Sequence, residues 1–469
     1  MKRIYLDWGV ISNLKKEEYA TLRELLLSNK DRLFFVYSSA HFEDLMRSKG
    51  DPRFESDLRM LTDLAGDHFL DIDNNGMTHA YRVLPEQISK DYSEPQYFNY
   101  QDIDALIESI KGIPIVGISI GDLITDALNV ACPIPSDFYS NELLKKTLPN
   151  LPVSPTIKDL IESFCQFMHD MMSNKGSYKG FRTEIRNNGF DLGPDAGNWN
   201  DNDATEQISL FLKSKGIEMT FNDYVMKSFG NRKITQNELF ISAYCILDMI
   251  GFHSDKLPKD SNTMTSVTTD AKHAYFGGHC DWFITADKCL YHKARALYSN
   301  FGVLTSVMYP DEAIKAIQNE ILPYEHNYIN TFIQDELIPD HIVDRHYKED
   351  DADCDYVVYE FSKNFLGIFS HCTHYFNSDG LSSLQFKLVY GNYSRFLFYD
   401  ETSMMLDTLT QFFGLQGIAD YERTREKFIK GDTDVTISWS FDKGVVCIKN
   451  DEDRHRPELF FLFKHDVNA

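Results

Sequence analysis

No C-x-x-C pair occurs among the eight cysteines, and there is no G-x-x-x-x-G-K-[ST] loop and no G-x-S-x-G elbow. The missing loop and elbow leave NTP hydrolysis and serine-hydrolase chemistry without support. The scattered cysteines suit buried thiols in a reducing cytosol. No apolar run approaches the roughly 18 residues of a membrane helix. The opening MKRIYLDWGV has no apolar core and no small-residue cleavage site, so no secretory signal is expected. A cytoplasmic protein with no membrane partner is the expectation. Internal repeats and low-complexity tracts are also missing. Basic residues are scarce: 47 Lys and Arg stand against 71 Asp and Glu, a net charge of −24. That balance excludes a surface that embraces nucleic acid all over, because phosphate contacts need a positive face. A local basic path, or a partner that supplies the charge, stays compatible with it.

What is present is ordinary globular material, 43% hydrophobic and 25% charged. At 469 residues, two or three domains are expected. "RIYLD" (3–7) and "LFFVYSS" (33–39) are short apolar runs. Residues 17–29 and 40–48 have helical spacing. Strand, helix, strand, helix predicts a parallel sheet with crossover helices. From about 50 to 234 the pattern is helical, at 56–66, 101–111, 119–130, 156–174 and 204–215, with no strand ladder. Helix is expected again at 235–252 and 270–279, a strand at 282–286, a helix near 288–299, a strand at 303–308 and a helix from 309.

The simplest organisation is one α/β domain, 1–48 plus 235–322, split by a helical insertion, 49–234. A connection follows at 323–349, then a small α+β domain at 350–469. There "SLQFKLVYG", "RFLFYD", "VTISWSFDKGVVCIK" and "LFFLF" read as strands, and "TSMMLDTLTQFFG" as a helix. The acidic run "KEDDADCDYVVYE" (348–360) reads as a solvated linker.

Ligands of an open parallel sheet bind beyond the carboxyl ends of its strands. Asp7 and Asp287 lie at two such ends. Glu43 lies in the first turn after the second strand, and Asp270 heads the helix that runs down to the 282–286 strand. Each acid has a structural alternative, mainly as a turn or helix cap. With Ser39 as N-cap, the capping-box position would be Phe42, so Glu43 is not that partner. Jointly, four carboxylates on one edge repel one another unless neutralised. A hard divalent cation, Mg2+ or Mn2+, is the usual neutraliser, and it supports phosphodiester hydrolysis.

"IYLDWGVISNL" (4–14), "VYSSAHFEDLMRS" (36–48), "DAKHAYFGGHCDWFITADKCL" (270–290) and "GVLTSVMYPDEAI" (302–314) together resemble the PIN-domain nucleases. The resemblance covers about 130 of the 469 residues. It implies a PIN-like, Rossmannoid parallel-sheet domain and a Mg2+- or Mn2+-dependent endonuclease, acting on RNA more often than DNA. Asp7, Glu43, Asp270 and Asp287 match the metal-binding and catalytic quartet. Asp281, before the last strand of that unit, is a further candidate ligand. Thr285 would buttress Asp287 or a water, and His273 would be an auxiliary group. Trp8 and Gly9 depart from the small polar residues usual after the first acid. The insertion is far larger than in compact toxin-type members. A bacterial defence role would suit such a chain.

Two basic sets are candidate nucleic-acid contacts. Lys288, Lys293 and Arg295, with His292, follow Asp287 directly. Lys175, Lys179, Arg182 and Arg186 alternate with Tyr178 and Phe181, a combination that can grip a single strand. The structural alternatives are a solvated helix face and a polar loop. His371, Cys372 and His374 lack the further ligands of a zinc site. Other functional readings are a regulatory module with little catalysis, bound to a protein partner or a second copy of the chain, and a structure-selective DNA nuclease.

Overall fold

The computed structural model describes residues 2–91, 114–115, 118–119, 125–132, 145, 148, 151–174, 176–254, 263–321, 327–347, 354–376, 382–389, 397–415, 420–451 and 456–463. The chain is a mixed α/β protein with a largely parallel sheet and a separate antiparallel sheet. Among the described residues, no helix is long and apolar enough to cross a membrane.

The chain opens with β1 (Lys2–Leu6), α1 (Trp8–Asn13), α2 (Ala20–Ser28), β2 (Leu33–Ser38) and α3 (Ser39–Arg47). It continues through α4 (Phe54–Ala65), β3 (His68–Ile72), β4 (Thr78–Arg82) and α5 (Pro85–Asp91). A two-residue pair follows, β5 (Pro114–Ile115) with β6 (Ile118–Ser119). Then come α6 (Ile157–Ser173), α7 (Ser177–Asn187), α8 (Ala204–Ser214), α9 (Phe221–Lys227), α10 (Gln236–Met249) and α11 (Met264–Gly277). Strands β7 (Trp282–Ile284) and β8 (Ser306–Met308) enclose α12 (Lys288–Phe301), and α13 (Pro310–Glu320) closes this half.

The sheet order is β4-β3-β2-β1-β7-β8, parallel except for β4. The chain moves outward from β1 to β4 and returns on the other side of β1. The order therefore reverses between β1 and β7, and that crevice is the natural ligand site of such a sheet. All six residues of β2 are buried, as a strand covered on both faces requires. Ile4, Leu6, Phe35, Trp282 and Ile284 pack against α1, α2 and α13. Tyr5, Phe34, Val36 and Phe283 pack on the other face with Tyr178, Ile208, Phe221, Phe240 and Leu297. The long helical segment thus builds one layer of the same core.

Several local expectations need correction. β3 and β4 lie in a stretch read as mostly helical. β4 carries polar and aromatic residues on an exposed edge, so its apolar alternation is weak. The helix expected at 101–111 lies outside the described residues, as do residues 120–124 of the helix expected at 119–130. The α3 cap is Ser38, not Ser39, and its capping-box partner is His41. α11 begins at Met264, so Asp270 is inside the helix rather than at its head.

The remaining elements are α14 (Tyr328–Glu336), β9 (Ile342–Tyr347), β10 (Cys354–Phe365), β11 (Phe369–Phe376), β12 (Ser382–Lys387), α15 (Tyr399–Phe413), α16 (Tyr421–Ile429), β13 (Thr436–Phe441), β14 (Gly444–Asn450) and β15 (Pro457–Phe463). The strands form one antiparallel sheet, β13-β14-β15-β12-β11-β10-β9, with its own core. β9 comes from the stretch expected as a connection. β10 takes in the second half of the acidic run, where Val357, Tyr359 and Phe361 are buried. Tyr399 and Asp400, expected in a strand, open α15. A Cβ at Gly444 would fall 2.0 Å from the Leu462 carbonyl oxygen, so only glycine fits that pairing.

The two halves meet at the amino end of β1. Arg3 donates from Nε to Glu401 Oε1 at 2.9 Å and from Nη2 to Oε2 at 2.5 Å, and both side chains are buried. His68 Nε2 is 2.7 Å from Asp400 Oδ2. The C-terminal half therefore docks at the sheet edge opposite Asp7.

Candidate functional site: an aspartate edge at the sheet crevice

Asp7 follows β1 directly and occupies the N-cap position of α1, yet its side chain makes no capping bond. Its Oδ2 instead accepts from Thr285 Oγ1 at 3.1 Å. Thr285 Oγ1 in turn accepts the Asp287 amide at 3.0 Å. One buried hydroxyl thus ties the ends of the two strands that flank the crevice. Asp287 also caps α12, accepting from the Leu290 amide at 2.8 Å, so its structural role is real as well. Glycine at position 9 keeps the approach open: a Cβ there would sit 3.2 Å from Asp7 Oδ2.

The electrostatics join four aspartates. The Asp7 carboxyl is raised, first by burial and further by Asp44 and Asp287, while His273 and Thr285 oppose the shift. Asp270, only part-buried by surface area but deep among packed atoms, is pushed well above the usual carboxylate range. Burial is the largest cause; Lys293 opposes it, and Asp7, Asp287 and Asp44 add to it. The acid of α3 that acts on this cluster is Asp44. Glu43 lies one residue, about 100°, around the helix. It pairs with Lys272, sits 2.9 Å from Thr269 Oγ1, and its field reaches Asp71 beyond β3. Glu43 is therefore held outside the group that the sequence assigned it to.

Asp44 is held by a buried chain. His273 Nε2 lies 3.0 Å from Asp44 Oδ2, and His273 Nδ1 lies 2.9 Å from the Tyr5 hydroxyl. A carboxylate only accepts, so Nε2 carries the hydrogen. Ser38 Oγ is 2.6 Å from the same hydroxyl. His41 Nε2 donates to the Leu6 carbonyl at 2.8 Å, and its Nδ1 accepts the Ser38 amide at 3.0 Å. Burial, reinforced by His273, drives His41 well below the ordinary imidazole value and keeps it neutral. The strand end that presents Asp7 is thereby fixed by a neutral histidine.

Asp281 is placed elsewhere. It precedes β7, and its Oδ2 accepts from the Arg3 amide at 2.7 Å. That is the amino edge of the sheet, the length of β7 or roughly 10 Å from the aspartates. It pins β1 to β7 and is not a ligand of the same ion.

The expected phosphate guides are mostly neutralised. Lys293 is 2% exposed and donates to Asp248 at 2.8 Å. Arg182, also buried, stands 3.5 Å from Asp248, whose other contact is the Tyr178 hydroxyl. Burial alone would raise Asp248, but Lys293 and Arg182 outweigh it and hold it low. Arg186 pairs with Asp191 and Arg295 with Asp201, each at 2.9 Å. Lys288 is exposed at the start of α12, Lys179 is partly exposed, and Lys175 lies outside the described residues. An excess of acid leaves most cations paired.

Residue reasoning missed Asp44, the Asp248 network and Tyr244. Tyr244 on α10 is fully buried, and its hydroxyl has no hydrogen-bond partner among the described residues. Burial raises it well above the usual phenol range, and Asp270 is the first of the charges that add to this. Among the described residues, the trios of His, Cys, Asp and Glu with ligand atoms within 4.8 Å of one another are Asp201, His253, His292 and Asp67, His68, Asp400. The four aspartates are coupled through their charges but form no such close trio among the described residues.

Comparison with protein-family models, curated proteins and solved structures gave no match to this chain.

Proposed function

We propose that the chain is a PIN-like, Mg2+- or Mn2+-dependent endonuclease. In this reading the parallel sheet is the nuclease domain, split by the helical segment between β4 and β7, and the antiparallel sheet is an accessory domain. The carrying observation is the electrostatic coupling of Asp7, Asp44, Asp270 and Asp287 at the β1–β7 crevice, where Asp7 and Asp270 are raised first by burial and further by the neighbouring acids. An all-oxygen donor set of this charge fits a hard dication. Asp7, Asp44, Asp270 and Asp287 would hold it, directly or through water. Bound there, it would polarise a phosphodiester oxygen and activate water for hydrolysis.

The protein's own groups prepare that site. Thr285 orients Asp7, and His273 orients Asp44. Gly9 leaves Asp7 unobstructed. RNA is the preferred substrate on the PIN resemblance alone, because the hydrolysis itself does not sense the 2′-hydroxyl. Calorimetric titration of the chelator-stripped protein with Mn2+ tests the reading. Binding should be present in the wild type and lost in Asp7→Asn, with unchanged circular dichroism. Equal binding by both proteins would contradict it.

A second reading, a PIN-fold interaction module with little catalysis, draws on one observation. Lys293, Arg182, Arg186 and Arg295 are all ion-paired, leaving little positive surface for a phosphate backbone. Metal binding without cleavage of any nucleic acid would favour it.

A further inference from the structure

At α12, the helix that Asp287 caps, three residues come together from separate segments: Asp201, His253 and His292. Asp201 lies in the 3-10 turn Asp201–Asp203 that leads into α8, His253 in the turn after α10, and His292 on α12. Their ligand atoms lie within 4.8 Å of one another. His292 Nδ1 is 2.9 Å from Asp201 Oδ1 and 3.1 Å from Oδ2. The imidazoles of His253 and His292 stack with centroids 3.9 Å apart and planes 13° apart. His253 Nε2 is buried and has no hydrogen-bond partner among the described residues. His253 also adopts φ +38°, a backbone region that non-glycine residues rarely hold without a compensating interaction.

We propose that these three residues form a second metal site, for a borderline transition-metal dication of the Zn2+ class. Two imidazole nitrogens and one carboxylate oxygen suit Zn2+ and discriminate against Mg2+. Ligand atoms about 2.0–2.2 Å from such an ion lie roughly 3–3.5 Å apart, close to the Asp201–His292 separations observed. Closure of the site requires His253 to leave its stack on His292, turning its ring until an in-plane nitrogen lone pair faces the ion. Burial, with His292 beside it, lowers His253 to about 4, so the imidazole is neutral at physiological pH and its lone pair is available. Arg295 Nε sits 2.9 Å from Asp201 Oδ2 as an ion pair, without hydrogen-bond geometry. Its positive charge beside Asp201 lowers the affinity of the site.

The site differs from the aspartate edge in donor chemistry and in position. Asp201 and His253 belong to the helical segment, and His292 to the helix capped by Asp287. A bound ion therefore clamps that segment onto α12 and sets how α12 presents its N-terminus. The assignment does not depend on nuclease activity.

Titration of the chelator-stripped full chain with Co2+, followed by visible absorption, tests it. Nitrogen-rich, low-coordinate Co2+ absorbs strongly, and Co2+ among carboxylates and water absorbs weakly. One equivalent should give an intense band that Zn2+ displaces, and Asp270→Asn should keep it. His253→Gln should weaken apparent Co2+ affinity at least tenfold, with the fold checked by circular dichroism. Asp201→Asn is the second variant should His253→Gln misfold, and the same loss is expected. Absence of the band in the wild type would overturn the proposal. So would its retention in a folded His253→Gln or Asp201→Asn protein, or its loss in Asp270→Asn.

Discussion

At the residue scale, Asp270 is the most exposed to test. Its folded-state pKa lies above its unfolded value, raised first by burial. The ionised form is therefore penalised by folding, fully above the raised value and not at all below the ordinary value of 3.8. Asp270→Asn should stabilise the metal-free protein at neutral pH, on the order of 1 kcal/mol as single stabilising substitutions do. That advantage should shrink as pH falls through the raised pKa toward 3.8, which thermal melts in chelator across pH would follow. A stabilisation that grows toward low pH would contradict the raised carboxyl. The choice between neighbouring acids is equally direct. Asp44→Asn should lower Mn2+-dependent cleavage by about 100-fold or more, on the scale of losing one preorganised catalytic group. Glu43→Gln should keep most of it, and the reverse ranking would restore the sequence assignment. The structure favours Asp44 for a physical reason. Adjacent acids on a helix differ by 100° in direction, and only the packing of His273 against Asp44 decides which one faces the crevice.

At the scale of elements, α10 and α12 are locked by buried charge. Removing one partner of a buried ion pair strands the other, which commonly costs about 3–5 kcal/mol. Asp248→Asn should therefore destabilise strongly in denaturant melts, because Lys293 and Arg182 would lose their shared carboxylate. Tyr244→Phe is the contrasting case. It removes a buried hydroxyl without a partner, so stability should hold or rise. A clear loss of stability would mean that the hydroxyl has a partner in solution. Much at this scale was legible in the chain. The continuous apolar runs gave β1 and β2. The edge strand β4 was not legible, because an exposed antiparallel edge needs no apolar face. Nor was Asp248, whose partners come from helices separated widely in sequence.

At the scale of the whole molecule, the Arg3–Glu401 bridge connects the two sheets where β1 begins. Arg3→Met should loosen that contact and give separate melting transitions for the two halves, with faster proteolysis between them. A single unchanged transition would show that docking rests on other contacts, such as the packing of Phe398 on Phe34. Docking at the amino edge could not be read from sequence, since neither Arg3 nor Glu401 belongs to any patterned motif. The parallel strand–helix alternation could be read, but not the strand order that places Asp7 beside Asp287 at the crevice. The central claim is that this crevice holds a dication for phosphodiester hydrolysis. The most direct measurement is incubation of end-labelled single-stranded RNA and DNA with the wild type and Asp7→Asn in Mn2+, followed by end-group analysis. The account predicts cleavage by the wild type that leaves 5′-phosphates, is abolished by chelator, and is absent in Asp7→Asn. Cleavage by both proteins at equal rates, or none on either substrate with Mn2+ bound, would contradict it.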